Sequence, residues 1–131
     1  MNGEREMLLA PLICVRDVPA SSRWYQQLLG CTSGHGGDEY ERLNAGEKLI
    51  LQLHRWDVMH HHGPLGDPSL RPCGNGVVLW FELSDFDDAV ARATSMKVDV
   101  LKERLWSENG NWEYWLRDPE GYLVVLTSPL P

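Results

Sequence analysis

The chain has 131 residues and a net charge of −7, with 12 lysines and arginines against 19 aspartates and glutamates. The length predicts a single domain, residues 1–131, and the negative charge argues against nucleic acid as a partner, because such binding depends on neutralising phosphates. Residues 1–6 are mostly polar, so we expect no signal peptide and no membrane partner. The three cysteines are an odd number with no metal-like spacing, which favours a reducing, cytoplasmic location.

The first half of the chain, about residues 7–57, has the pattern of a strand, a helix and three strands. Asp17 is a typical helix N-cap and Gly30 a typical helix end, so the sequence predicts a helix between them. Apolar runs and glycine-rich turns predict the strands. The predicted strands are Leu8–Val15, a short strand around His35, Tyr40–Leu43 and Leu49–Leu53.

The second half, about residues 76–128, repeats this order after a linker, residues 58–75, that is dense in proline and glycine. Asp85 predicts the start of a second helix, which continues through Met96. The predicted strands are Val77–Leu83, Val98–Leu101, Trp112–Leu116 and Leu123–Leu126. The repeated unit predicts an α+β fold of two βαβββ modules, with a cavity where the two sheets meet.

Two motifs at the right distance from one another connect the chain to a known superfamily. The first is Val15–Val18 leading into Trp24–Gly30, and the second is Trp115–Leu126, which contains the turn Arg117–Gly121. With these motifs the sequence resembles the vicinal oxygen chelate superfamily, which includes glyoxalases, bleomycin-resistance proteins, fosfomycin-resistance enzymes and extradiol dioxygenases. The resemblance covers nearly the whole chain. It implies a curved mixed sheet around a cavity, and a homodimer.

The resemblance also indicates where a metal would bind. Metal-dependent members use four ligands, one from the first and one from the last strand of each half, usually histidine, glutamate or glutamine. Those positions fall here on Ala10, Leu51, Val78 and Val125, with Gln52 as the alternative to Leu51. The four apolar side chains have no lone pair to offer an ion. The resemblance therefore implies no metal and no cofactor, and favours a ligand-sequestering protein similar to the bleomycin-resistance proteins.

Six tryptophans in so short a chain predict an aromatic wall for a small organic ligand, flat or cationic. If Val78 faces the cavity, strand alternation puts Trp80 and Glu82 on the same side. From Trp112 to Trp115, either the even or the odd positions face inward, and the sequence leaves both open. The candidate ligand-binding residues are Trp80, Glu82, Trp112, Glu113, Tyr114, Trp115 and Trp56. Alternatively, the tryptophans pack in the core or at a dimer interface.

The rival hypothesis is an enzyme, a glyoxalase-like lyase or isomerase or a dioxygenase-related protein. Glu82 and Glu113 are its candidate catalytic bases. An unusual metal site is a further alternative, because imidazoles are good ligands for transition metals. Its candidate ligands are His54, His60, His61 and His62. The triplet lies in the linker, where consecutive side chains point in different directions, so adventitious metal binding is favoured over a catalytic centre.

Overall fold

The computed structural model describes residues 8–56, 69, 74 and 77–130. The first half contains β1 (Leu12–Val15), α1 (Val18–Leu29), β2 (Thr32–Ser33), β3 (Tyr40–Ala45) and β4 (Lys48–Arg55). The second contains β5 (Val78–Glu82), α2 (Phe86–Met96), β6 (Asp99–Trp106), β7 (Trp112–Arg117) and β8 (Leu123–Thr127). The predicted α+β fold with a repeated strand–helix–three-strand order is confirmed. Of the predicted linker, only Ser69 and Gly74 lie within the described residues.

The chain divides into two compact units. One unit contains the described residues up to Gln26 and those from Gly30 to Trp56. The other contains the end of α1, Gln27–Leu29, and the described residues from Ser69 onward. Each unit has one four-stranded sheet with two edge strands.

The two helices begin at the predicted aspartates, but the aspartates act differently. The Asp17 carboxylate accepts a hydrogen bond from the Ala20 backbone N–H at 2.9 Å, which is a regular N-cap. The Asp85 side chain makes no capping bond and instead forms an ion pair with Arg92 at 3.0 Å. Gly30 ends α1 with a φ of 74°, a left-handed conformation that suits glycine. No helix in the described ranges is long and apolar enough to cross a membrane.

The first sheet has the strand order β1-β4-β3-β2, with β1 parallel to β4 and the other pairs antiparallel. Ile13, Leu53 and Glu41 are neighbours across three strands. Their face packs on α1, because the Glu41 carboxylate accepts a hydrogen bond from the Ser22 hydroxyl on that helix at 2.7 Å. Apolar residues on this face are fully or almost fully buried.

The short strand predicted around His35 is wrong in position. It forms at Thr32–Ser33 instead, where it pairs with β3. Gly36 and Gly37 have φ values of 74° and 146°, and such positive φ angles do not continue a strand. Of the other boundaries, the largest differences are that β1 begins at Leu12 and that β6 extends to Trp106.

The second sheet has the order β5-β8-β7-β6, with β5 parallel to β8. Leu79, Val124 and Leu116 are neighbours across it and are buried on the face that packs on α2. Pairing of β6 with β7 is irregular at two places, between Val100 and Lys102 and between Lys102 and Leu105. Each irregularity changes which side chains of β6 share a face with β7.

Glu41 is a buried carboxylate, with only 3% of its surface exposed. Hydroxyl groups of Ser22 and Ser33 donate to it at 2.7 and 2.8 Å. Backbone N–H groups of His35 and Gly36 donate to it at 3.2 and 2.7 Å. Burial alone would raise the pKa of Glu41, but these hydrogen bonds to the charged form outweigh burial and lower it. The carboxylate thus joins α1 to the loop between β2 and β3.

The cysteine thiols of the described residues are buried. Burial, with a smaller contribution from the charge of Glu41, raises the pKa of Cys31 to about 11. Its sulfur lies 3.5 Å from the carbonyl oxygen of Tyr25, to which it donates. The Cys31 thiol is therefore protonated at neutral pH and is a poor nucleophile. Cys14 is also buried, and Cys73 lies outside the described residues.

Candidate functional site

The face of the second sheet that points away from α2, called the distal face below, carries most of the predicted site. Strand pairing arranges its side chains in rows across the sheet. The first row is Trp80, Val125, Trp115 and Lys102. The second row is Glu82, Thr127, Glu113 and Leu105. The odd positions of β7 therefore share a face with Trp80, which resolves the choice that the sequence left open.

Trp80 and Trp115 form an aromatic corner on the distal face. Their ring centroids are 6.4 Å apart and their planes are perpendicular, in the edge-to-face arrangement that indole rings favour. Val125 lies between them in the row and is fully buried. Trp80 nevertheless leaves 51% of its surface exposed. A large apolar ring is thus held in place and remains accessible.

Two charged side chains contact Trp115. Its indole Nε1–H donates to the Glu113 carboxylate at 3.0 Å, which fixes the orientation of the ring. The Lys102 ammonium lies over the ring, 4.8 Å from its centroid, which is a cation–π contact. The same ring is therefore bonded to an anion at its edge and covered by a cation on its face.

The second row places two carboxylates on the distal face, on either side of Thr127. Glu82 and Glu113 are two strands apart, so their Cα atoms are separated by about 10 Å. Thr127 is fully buried, and its hydroxyl donates to the Phe81 carbonyl at 3.4 Å. The two acids therefore flank a neutral group and give this part of the face a negative potential.

Three predicted ligand-binding residues do not lie on the distal face. Tyr114 is only 2% exposed, and it lies opposite Leu126 on the same face of the sheet as Leu116, the face that packs on α2. Trp112 shares the face of Tyr114, and its ring lies 5.3 Å from that of Trp106. Trp56 belongs to the first unit, where its buried Nε1 has no hydrogen-bond partner among the described residues.

The assignment of Leu51 as a metal-ligand position needs correction. Leu51 is fully buried beside Leu43 on the face that packs on α1, and Gln52 points the other way. Gln52 has its polar atoms engaged, since Oε1 accepts from the Tyr40 hydroxyl at 2.5 Å and Nε2 donates to the Ala10 carbonyl at 3.0 Å. The amide nitrogen, which is only a donor, is thus bonded, and the amide oxygen uses one of its two lone pairs for Tyr40.

The remaining positions do not fit a metal ion either. Val78 and Val125 lie on the distal face and have no lone pair. Within the described ranges, no three histidine, cysteine, aspartate or glutamate side chains converge on a common point. His54 has its Nδ1 within 2.6 Å of the Arg55 carbonyl oxygen, and its ring lies 6.3 Å from that of Tyr40. Its three predicted partners, residues 60–62, lie outside the described residues.

Sequence reasoning missed several residues that shape these faces. Lys102 is not part of a recognisable sequence motif, and its side chain lies on the distal face only because the pairing of β6 is irregular. Thr127 comes directly after an apolar run, which is a pattern typical of a strand end. Tyr40 and Gln52 were within the predicted strands, but only the register shows that their side chains meet.

The model of the Glyoxalase/Bleomycin resistance protein/Dioxygenase superfamily matches residues 8–126. No curated protein matches the sequence. A protein of unknown function from Agrobacterium tumefaciens str. C58 aligns with a TM-score of 0.74 and 19% identity, covering 97% of both chains. Lactoylglutathione lyase from Agrobacterium tumefaciens aligns with a TM-score of 0.71 and 14% identity, covering 95% of both. A bleomycin resistance determinant encoded on transposon Tn5 aligns with a TM-score of 0.69 and 17% identity, covering 94% of this chain and 98% of that chain. At these identities, the similarity shows a shared fold.

Proposed function

Because the chain belongs to the glyoxalase/bleomycin resistance protein/dioxygenase superfamily, we propose that it binds and sequesters a small hydrophobic or cationic organic molecule on the distal face. The observation that carries the proposal is the aromatic corner, in which Trp80 is half exposed although it is held against Trp115. Trp80, Trp115, Glu82 and Glu113 are the residues that we expect to contact the ligand.

Physical chemistry supports this role for the corner. An exposed indole loses unfavourable contact with water when a flat ligand covers it, and about 25 cal/mol is gained per Å² of apolar surface buried. The neighbouring carboxylates of Glu82 and Glu113 attract a positively charged group and orient the ligand. Trp80 is less buried than tryptophans are on average, so a flat ligand has exposed ring surface to cover.

A titration of tryptophan fluorescence tests the proposal. We expect 9-aminoacridine, a flat cation, to quench the fluorescence saturably and to be recovered chemically unchanged after long incubation. The aromatic anion 1-anilinonaphthalene-8-sulfonate is the comparison probe, and we expect weaker binding because of the two carboxylates. If neither probe binds saturably, the proposal is contradicted. Chemical conversion of a bound compound would contradict the sequestering role.

We further propose that binding does not depend on a metal. The argument is chemical, because Ala10, Val78 and Val125 have no lone pair in their side chains, and Gln52 alone cannot hold an ion. Elemental analysis of tag-free protein, purified without chelator and then dialysed, checks this directly. About one retained ion per chain would contradict metal independence and would redirect attention to His54 and residues 60–62.

Such a result would favour the alternative, an enzyme of the lyase or dioxygenase type. The observation that favours an enzyme is the polar side-chain group of Tyr40, Gln52 and His54 in the first sheet.

We also propose a cytoplasmic homodimer. Light scattering on the eluting protein is expected to give twice the chain mass of 14.9 kDa. A mass equal to one chain across a range of concentrations would contradict the dimer.

A further inference from the structure

We propose that the aromatic corner is an ammonium-binding site that the chain's own Lys102 occupies, so that a cationic ligand binds by displacing this side chain. The inference rests on the proposed function, because it concerns the same face. It goes further by naming the chemical group that the corner takes, a primary or quaternary ammonium, and the residue that competes with it.

The position of the Lys102 ammonium is the first argument. The chain has an excess of acidic residues, yet within its described part Lys102 forms no ion pair and lies 4.8 Å from the Trp115 ring centroid. The face of an indole has a negative quadrupole and is the best aromatic surface for a cation. A ligand ammonium would find the same attraction at the same place.

The hydrogen bond to Glu113 is the second argument. A carboxylate that accepts the indole N–H, here at 3.0 Å, shifts negative charge towards the ring and strengthens its attraction for a cation. Trp80 adds a second wall at a right angle, which is half of the aromatic cage that recognises quaternary ammonium groups. Glu82 lies two residues along β5 from Trp80 and contributes further negative charge on the same face.

The competition has a predictable consequence for affinity. Lys102 is attached to an exposed edge strand, so its displacement costs only one weak cation–π contact and leaves the ammonium in water. Removing Lys102 should therefore tighten the binding of a small cation by about two- to five-fold, which corresponds to a contact of about 0.5–1 kcal/mol.

The experiment uses choline as the probe and its uncharged isostere 3,3-dimethylbutan-1-ol as the reference compound. Binding to the full chain is followed by the shifts of the tryptophan indole N–H signals in nuclear magnetic resonance spectra. We expect choline to bind, the isostere to bind more weakly, and Lys102→Thr to tighten choline binding about two- to five-fold. Lys48→Thr removes the same charge from an exposed strand position and is the matched control. It should leave the affinity nearly unchanged.

The two proposals fail in different ways. If 9-aminoacridine binds but choline and its isostere bind equally, or if Lys102→Thr and Lys48→Thr have equal affinities, the ammonium site is wrong and ligand binding on the distal face stands. If none of the probes binds to either protein, the wild type or Lys102→Thr, both proposals are wrong. Glu113→Gln keeps a hydrogen-bond acceptor for Trp115 but loses the charge, and tighter choline binding by this variant would also overturn the inference.

Discussion

Replacing Glu41 by methionine is expected to lower the free energy of unfolding by about 3 kcal/mol or more. The backbone N–H groups of His35 and Gly36 and the hydroxyls of Ser22 and Ser33 then lose their buried acceptor. A buried donor left without a partner, as the Ser22 hydroxyl would be, costs about 1–3 kcal/mol; the loss of three more accessible bonds to the carboxylate adds to this, and methionine offers no replacement. Urea unfolding followed by circular dichroism measures the change.

Two variants make this prediction specific. Glu41→Gln keeps one strong acceptor and has about the same volume, so it should recover a large part of the lost stability. Glu39→Met removes an exposed carboxylate that pairs with Arg55 at 2.8 Å, and it should cost less than about 1 kcal/mol. If Glu41→Met were no more destabilising than Glu39→Met, the carboxylate would not be holding the loop between β2 and β3.

The same carboxylate has a pH dependence of known sign. Its pKa in the folded chain is below the ordinary value of 4.5, so the folded state binds the proton less readily than the unfolded state. The stabilisation by Glu41 is therefore fully present above pH 4.5 and is lost as the pH falls towards the lower, folded-state pKa. As the pH falls from roughly 5 to roughly 3, the free energy of unfolding of Glu41→Gln should consequently decrease less than that of the wild type.

Replacing Trp80 by serine is expected to weaken the binding of 9-aminoacridine at least ten-fold, or about 1.4 kcal/mol. The reason is that Trp80 supplies the accessible ring of the aromatic corner and a serine leaves no surface on which a flat ligand can stack. Fluorescence anisotropy of the dye measures the affinity without depending on the number of tryptophans that remain.

Trp106→Ser is the matched control, because Trp106 is 60% exposed, is on the opposite face of the same sheet and packs edge-on against Trp112. It should leave the affinity for the dye within two-fold of the wild type, roughly the limit set by small surface effects. Equal losses in the two variants would mean that the dye binds exposed indoles without selectivity, which would contradict a site on the distal face.

The sequence is sufficient to predict the fold because local signals agree with one another. Asp17 and Gly30 delimit α1, and the repeated apolar runs give the strands in the correct order. Sequence also predicts that Trp80 and Glu82 share a face, because two-residue alternation along a regular strand needs no knowledge of its neighbours. These signals depend on residues close together in the chain.

The details of the site depend on contacts between distant residues. On β7, both Trp112 and Trp115 are aromatic, so composition cannot tell which of them faces α2. On β6, Lys102 reaches its position through register shifts that leave no pattern in the sequence. Glu41 looks like a surface residue of an alternating strand, and only the return of the β2–β3 loop provides its donors. Leu51 and Gln52 show how an error of one residue moves a side chain to the other face.

The irregular pairing of β6 also affects how the protein behaves in concentrated solution. With eight residues, β6 is the longest edge strand of the two sheets, and a long regular edge is a template for strand addition and aggregation. The two register shifts interrupt the even spacing of its backbone donors and acceptors, and four charged residues, Asp99, Lys102, Glu103 and Arg104, lie along it. Another chain therefore cannot extend the sheet continuously at this edge, so the strand that carries Lys102 is protected against edge-to-edge aggregation.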